Sequence, residues 1–320
     1  EIPKRDWSSD VCSSDLTLGR PISEIPPGQN LALLDEITIT AAGTAAGTSV
    51  DMAKLGTKVI AMGVVGEDEA GNILLGIMQR YGIDVSKMVR KKGAQTSGSM
   101  LLIRPNGERP ALHVKGVHQL FSFEDVDQET IKNADFVHIG GFYLMPKFDS
   151  GDALKVLKLV KEGKGITTMD VLGIKQDNMK EMILPCMPYL DFFMPNLEES
   201  QMITGLTNVD EICDLFLNAG AKNVILKMGD RGSLIKNKEG MRLRVPAFQV
   251  KVVDTTGCGD AWTGGFITGL ARGMSIEDAA KLGSACGSLV ATGLGSDAGI
   301  VDYDSTIKFM NTNPTLPLRD

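Results

Sequence analysis

The stretch from Val252 to Phe266 reads Val-Val-Asp-Thr-Thr-Gly-Cys-Gly-Asp-Ala-Trp-Thr-Gly-Gly-Phe, and the rest of the chain is organised around it. An apolar, β-branched lead-in (Val250, Val252, Val253) runs into small turn-forming residues. Beyond them Ala261, Phe266, Ile267, Leu270 and Ala271 recur at a spacing that suits a buried helix. The pattern predicts a strand, a tight glycine turn and a helix N-terminus. Gly257 and Gly259 flank Cys258 and let the backbone approach a ligand, because no Cβ stands in the way. Unpaired N–H groups and the positive end of the helix dipole then face one point, which makes an anion site. Asp260 is an odd neighbour for an anion. The conflict resolves if its carboxylate takes the proton of a hydroxyl that attacks a phosphoryl group while the turn amides hold the developing charge.

From Asp135 onward, strands are predicted at 136–140, 165–169, 192–194 and 223–227, and helices at 151–162, 176–184, 197–204 and 209–219. Such alternation with short connections means a parallel sheet covered on both faces. Ligands of such sheets sit beyond the carboxyl ends of the strands. Asp170, Asn196, Gly229 and Asp254 all fall just after predicted strands and can converge on one crevice. Upstream, 35–40 alternates with period two, 58–63 reads as a short buried strand, and a helix is expected from 66 to about 81. Residues 99–104 and 109–115 alternate around Pro105-Asn106-Gly107, which is hairpin chemistry.

Composition narrows the function. A chain of 320 residues with 43% hydrophobic and 23% charged residues is a soluble globular type. Its net charge of −7 argues against a nucleic-acid surface. No apolar run is long enough to cross a bilayer, and no secretory signal pattern is present, so no membrane partner is expected. The five cysteines (Cys12, Cys186, Cys213, Cys258, Cys286) form no CxxC pair, which suits reduced thiols in a cytoplasmic protein. His113, His118 and His138 share no metal-ligand spacing and read as packing or surface residues. Neither a Walker A lysine motif nor the protein-kinase signature set occurs.

Asp254-Thr255-Thr256-Gly257-Cys258-Gly259-Asp260 resembles the signature of the ribokinase-like carbohydrate kinases of the phosphofructokinase-B type, with Cys258 where alanine is usual. The resemblance implies a doubly wound, mostly parallel α/β sheet with helices on both faces and a small β-sheet lid. It implies ATP-dependent phosphorylation of a primary hydroxyl on a small sugar. Asp260 would be the base, and the amides of Gly257, Cys258 and Gly259 the anion hole. Asn196-x-x-Glu199 is similar to the family pair that holds magnesium-bound waters on ATP, although an N-cap with a capping-box acid fits the same letters. Lys227-Met228-Gly229-Asp230-Arg231-Gly232 resembles the nucleotide-binding turn, where Gly229 and Gly232 would admit ATP. Ser284 lies on an Ala/Gly/Ser-rich helix, 275–291, expected near the adenine. Asp254 would help hold a potassium ion, as in some relatives.

Residues 42–66 are similar to the family's first signature, which places Gly43 and Gly47 at the acceptor, with Gly47 where a sugar-binding Asn is usual. A glycine-rich helix start packed against a strand accounts for the same residues. Gly66-x-Asp68-x-x-Gly71 also looks like the family, while its acids equally favour a helix N-terminus. The family's opening apolar strand, ending in a substrate-binding Asp, has no counterpart in Trp7–Leu16, which repeats Ser-Ser-Asp without periodicity. Residues 1–16 therefore read as a foreign or misassembled leader containing Asp15. The kinase domain runs over 17–313, with lid strands near 35–40 and 99–115, and 314–320 is a frayed tail. Two rival readings stay open: a nucleoside kinase on the same scaffold, and a non-catalytic sugar- or nucleotide-binding regulator. A homodimer through the lid strands is expected.

Overall fold

The computed structural model describes residues 14–20, 22, 24–104 and 110–319. The first part holds β1 (Ser14–Arg20), β2 (Glu36–Ala42), α1 (Thr44–Lys54), β3 (Ile60–Gly66), α2 (Glu69–Arg80), β4 (Asp84–Lys91), β5 (Gly98–Leu102) and β6 (Ala111–Val114). Then follow α3 (Gln128–Asn133), β7 (Phe136–Phe142), α4 (Ala153–Gly163), β8 (Ile166–Val171), α5 (Met179–Ile183), β9 (Phe192–Phe193), α6 (Leu197–Thr204) and α7 (Val209–Ala219). Last come β10 (Asn223–Lys227), β11 (Ser233–Asn237), β12 (Arg242–Val245), α8 (Cys258–Ala271), α9 (Ile276–Val290) and α10 (Tyr303–Thr312).

The main sheet has the order β12-β11-β10-β9-β8-β7, with β7 to β10 parallel and the last two strands antiparallel. Side chains along a strand alternate between its faces, and here both faces are buried. Val224 and Leu226 enter one apolar core, and Ile225 enters the other. Phe193 likewise opposes Phe192 and Met194. The parallel pair β3–β4 shares both cores: Ile60, Met62 and Val64 join the first, and Ala61 and Val65 join the second. That is the doubly covered α/β sheet the alternation predicts.

A separate four-stranded sheet, order β2-β1-β5-β6, forms the lid. Its hairpin β5–β6 pairs antiparallel, Met100 opposite Leu112, and the expected Pro105-Asn106-Gly107 turn lies outside the described residues. Residues 1–13 of the leader also lie outside them. Ser14, Asp15 and Leu16 open β1, so the strand begins inside the segment read as leader, with Asp15 paired to Ala41 and Gly98 in the lid.

Three expectations need correction. Residues 50–56 read as helix-like in the sequence, but α1 begins at Thr44, because Gly43 adopts φ 94°, ψ 148°, a glycine-only backbone that starts the helix six residues earlier. The valine lead-in is no strand. The Val253 N–H donates to the Ala291 carbonyl at the end of α9 (2.8 Å), which draws the backbone away from any strand neighbour. Residues 314–316 are docked rather than frayed: Gln249 N–H donates to Pro314 O (2.9 Å) and Leu316 N–H to Ala247 O (2.8 Å). Finally, β4, β11, β12, α3 and α10 carry no expectation from the sequence. The first lacks alternation (Asp-Val-Ser-Lys-Met-Val-Arg-Lys), and the others are short or marginally amphipathic.

Candidate active site

Gly257 caps α8 with φ 77° and no side-chain hydrogen bond, so the first turn of the helix is left to face a ligand. A Cβ there would lie 2.4 Å from Ser296 Cα, so only glycine lets the turn lean on the 293–297 loop. The loop is itself fixed to β2, to α1 and to the end of α2. Ser296 Oγ donates to Ala41 O (2.9 Å), and Asp297 accepts from Lys54 Nζ (2.6 Å) and Tyr81 OH (3.0 Å). Glycines also seat α8 against α9, where a Cβ on Gly265 would meet Cys286 Sγ at 2.6 Å.

One cavity of about 710 Å³ collects most of the residues expected to bind nucleotide. Asn196, Lys227, Gly229, Gly232, Cys258, Gly259 and Ser284 all line it. Gly229 (φ 59°) and Gly232 (φ 76°) shape its wall, and nothing stands within 4 Å of where a Gly229 Cβ would be. Ser284 contributes backbone and bulk rather than a free hydroxyl, because its Oγ donates to Pro246 O (2.6 Å). Val250 and Val252, the supposed strand residues, line the same cavity, as do Glu198, Phe248, Trp262 and Leu316. Those last four carried no sequence signal. Trp262 looked like any apolar residue of a buried helix, and Leu316 belonged to the tail.

Beside the cavity lies a cluster of charge. Lys227 Nζ is buried 2.6 Å from Asp170 Oδ2 and 3.4 Å from both Gly259 O and Thr263 Oγ1. The Thr263 hydroxyl also reaches Asp170 Oδ2 (3.3 Å). Burial pulls the Lys227 ammonium down, but the Asp170 and Glu199 carboxylates overcome it and hold its pKa above the ordinary lysine value. Burial, then the Asp170 charge, pushes Glu199 up to about 7 against the pull of Lys227. Asp260 is raised well above the usual carboxylate range, first by burial and then by Asp170 and Glu199, with Lys227 opposing.

Asn196 and Glu199 form a reciprocal capping box at the start of α6: Asn196 Oδ1 accepts from Glu199 N, and Glu199 Oε2 accepts from Asn196 N, both at 2.8 Å. The capping geometry is therefore real, and the Glu199 carboxyl it holds feels the charges of Asp170 and Lys227. Asp254 is buried, with its Oδ1 accepting from the N–H (3.0 Å) and hydroxyl (2.8 Å) of Thr256. The Gly66–Gly71 motif joins β3 to α2 and is tied to the segment that leads into the lid. Asp68 caps α2 by accepting from Gly71 N (2.9 Å) and ties down Thr96 N–H (2.7 Å), just before β5.

On the other side, α1 meets Asp260 directly. A Cβ on Gly47 would sit 3.3 Å from Asp260 Oδ2, and Thr48 Oγ1 donates to the Asp260 carbonyl (3.2 Å). Gly43 begins the same helix. Asp260 thus follows Gly259 of the cavity wall in the chain and packs against the N-terminal half of α1. Further along α1, Asp51 is fully buried with neither carboxyl oxygen hydrogen-bonded. Burial, then the charges of Asp297 and Asp260, raises its pKa well above the ordinary value, with Lys54 opposing. A carboxyl whose folded pKa exceeds its unfolded one favours the fold at low pH, and that contribution is lost as pH rises through the folded pKa. Asp51→Asn is therefore expected to raise Tm at pH 8, with the gain fading as pH falls towards 4. Thermal melts across that range check it, and an equal or larger gain at pH 4 contradicts it.

Comparison with known proteins agrees with this architecture. The sequence model of the pfkB family carbohydrate kinases matches residues 9–302. The chain is 29% identical over 261 residues to a 5-dehydro-2-deoxygluconokinase of Clostridium perfringens, covering 78% of this chain and 77% of that one. It is 25% identical over 300 residues to fructokinase-1 of Oryza sativa, covering 89% and 93%. The crystal structure of a ribokinase from Thermotoga maritima superposes with a TM-score of 0.82 at 25% identity, covering 96% of this chain and all (100%) of that one. Among the described residues no helix is long and apolar enough to cross a membrane. Matched by the family model over nearly its whole length, and by a solved ribokinase in its lidded α/β fold, the chain belongs to the pfkB family of carbohydrate kinases.

Proposed function

We propose that this kinase transfers the γ-phosphoryl group of ATP to a primary hydroxyl of a small sugar or sugar acid, with Asp260 as the base. The observation that carries the reading is the place of Asp260, next in the chain to Gly259 of the cavity wall and with its carboxyl against Gly47 of α1. ATP would occupy the cavity along Gly229 and Gly232, its phosphates approaching Cys258 and Gly259. An acceptor held near Gly43 and Gly47 would bring its hydroxyl to Asp260. The carboxylate takes the hydroxyl proton as the oxygen attacks phosphorus, and the leading amides of α8 offset charge on the transferring group.

The donor set also fits a magnesium ion. Asn196, which lines the cavity, and the buried Glu199 beside it are oxygen donors already engaged in a capping box, so water-mediated contact suits them better than direct ligation. When bound, the ion would supply positive charge against the β- and γ-phosphates. Asp254 would help hold a potassium ion, which predicts lower activity when potassium is replaced by tetramethylammonium.

The test is ADP release from ATP and magnesium over a panel of hexoses, pentoses, keto-deoxy sugar acids and nucleosides. Turnover on a sugar or sugar acid supports the reading. Turnover on nucleosides alone replaces it with a nucleoside kinase. Nucleotide binding without turnover on any acceptor makes the chain a regulator.

The lid supports a homodimer through its outer face. Ile39, Met100 and Leu112 lie in one cross-strand row, with Ile37 and Val114 two residues along on the same face, and all five are exposed. Met100→Asp with Leu112→Asp should then sediment as a monomer under conditions where the wild type is a dimer. A wild type that is monomeric at all concentrations removes this part of the reading.

A further inference from the structure

We propose that Lys227 is a positioning residue of the transfer centre rather than a ligand of the nucleotide: held by Asp170 and by the Gly259 carbonyl, it fixes the first turn of α8 and places positive charge beside the Asp260 carboxyl. The inference rests on the reading of Asp260 as base but goes beyond it.

The geometry carries the argument. The Lys227 ammonium has three donor hydrogens, and three acceptors surround it: Asp170 Oδ2 at 2.6 Å, Gly259 O at 3.4 Å and Thr263 Oγ1 at 3.4 Å. Two of those acceptors belong to α8, one on each side of Asp260 in sequence, Gly259 before it and Thr263 one turn after it. Lys227 and Asp170 are themselves held rigidly, at the ends of β10 and β8. The pair is therefore a strut from the sheet to the helix turn that carries the base. A lysine committed in this way to three protein acceptors has no donor left for a phosphate, although it lines the cavity.

The strut also has an electrical consequence. Asp260 is faced by Lys227 from β10, Asp170 from β8 and Glu199 from α6, and it interacts with Asp51 on α1. Lys227 favours its ionised form, and the three carboxylates disfavour it. The two members of the strut thus act on the base in opposite senses.

Lys227→Met and Asp170→Asn separate this from a structural role. The pH dependence of kcat/KM for the acceptor should show its acid limb moved up by about one pH unit in Lys227→Met and down in Asp170→Asn. The double variant should fall between them. KM for ATP should change less than about threefold in each. Limbs unmoved, or moved the same way, overturn the proposal. A Lys227→Met enzyme with an unmoved limb and a tenfold higher KM for ATP makes Lys227 a nucleotide ligand. Because one single variant leaves a buried charge unpaired, folding is checked by thermal melts, and the double variant, which removes both charges, still reports. Titration of ¹³C-labelled aspartate by NMR, with Asp260 assigned through Asp260→Asn, follows the same shifts without any acceptor. If the wild type phosphorylates nothing, the functional reading fails while the NMR titration still decides this proposal.

Discussion

Asp260→Asn should keep the fold and bind ATP, yet lower kcat by about 10²–10⁴-fold, the usual contribution of a positioned proton acceptor. The amide fills the same volume beside Gly47 and the cavity but cannot take a proton. The same change should leave the protein at least as stable as the wild type near pH 8. Burial, followed by the charges of Asp170 and Glu199, holds the Asp260 carboxyl well above its ordinary range, so its ionised form weakens the fold above that pKa. A loss of turnover together with an unchanged or raised Tm is the signature of a site held in a strained electrostatic state for its chemistry. Near-native turnover would remove Asp260 as base. A parallel loss of nucleotide binding would make its role structural.

Much of this arrangement is legible in the sequence because it depends on backbone rather than on side chains. The turn at Gly257, the wall at Gly229 and Gly232 and the start of α1 at Gly43 all need positive φ. A glycine in a small-residue cluster announces such a need locally. The parallel strands are legible for a similar reason: β7 and β10 are buried and mostly apolar, interrupted only by His138 in the first and by the terminal Asn223 and Lys227 of the second.

What stays hidden is what depends on distant partners. Asp170 and Lys227 are 57 positions apart and look like a strand-end acid and an ordinary surface lysine until the sheet brings them within 2.6 Å. Asp51 sits among the small residues of α1 and gives no sign that both its oxygens will be buried. The lead-in valines mislead because β-branched residues suit a strand and a hydrophobic cavity wall equally well. The tail misleads because Leu316 gains its meaning only from the 247–249 segment it pairs along. The Asn196–Glu199 letters fit a capping box and a metal-water site alike, and the fold uses them for the first, with Asn196 in the cavity wall.

The sharpest test of the anion-hole turn is Gly257→Ala, expected to cut kcat by at least about 10²-fold, the scale of losing one preorganised donor, and to lower Tm by several degrees. Two effects add. An L-residue at φ 77° costs about 1–2 kcal/mol. The new methyl would also lie 2.4 Å from Ser296 Cα and 2.7 Å from Ser296 O, and backbone atoms cannot rotate aside. Something must shift, and the loop is the better anchored partner. Ser296 is bonded to Ala41 O, and Asp297 is clamped by Lys54 and Tyr81. The start of α8 therefore yields, carrying the amides of Cys258 and Gly259 and the Asp260 carboxyl out of register with the acceptor. Cys258→Ala is the matching control. It keeps the backbone N–H and removes only the sulfur, so its rate should stay near wild type. A Gly257→Ala enzyme with unchanged kcat and Tm would mean that the turn does not hold the phosphoryl group. A Cys258→Ala enzyme as slow as Gly257→Ala would shift the chemistry from the backbone to the thiol.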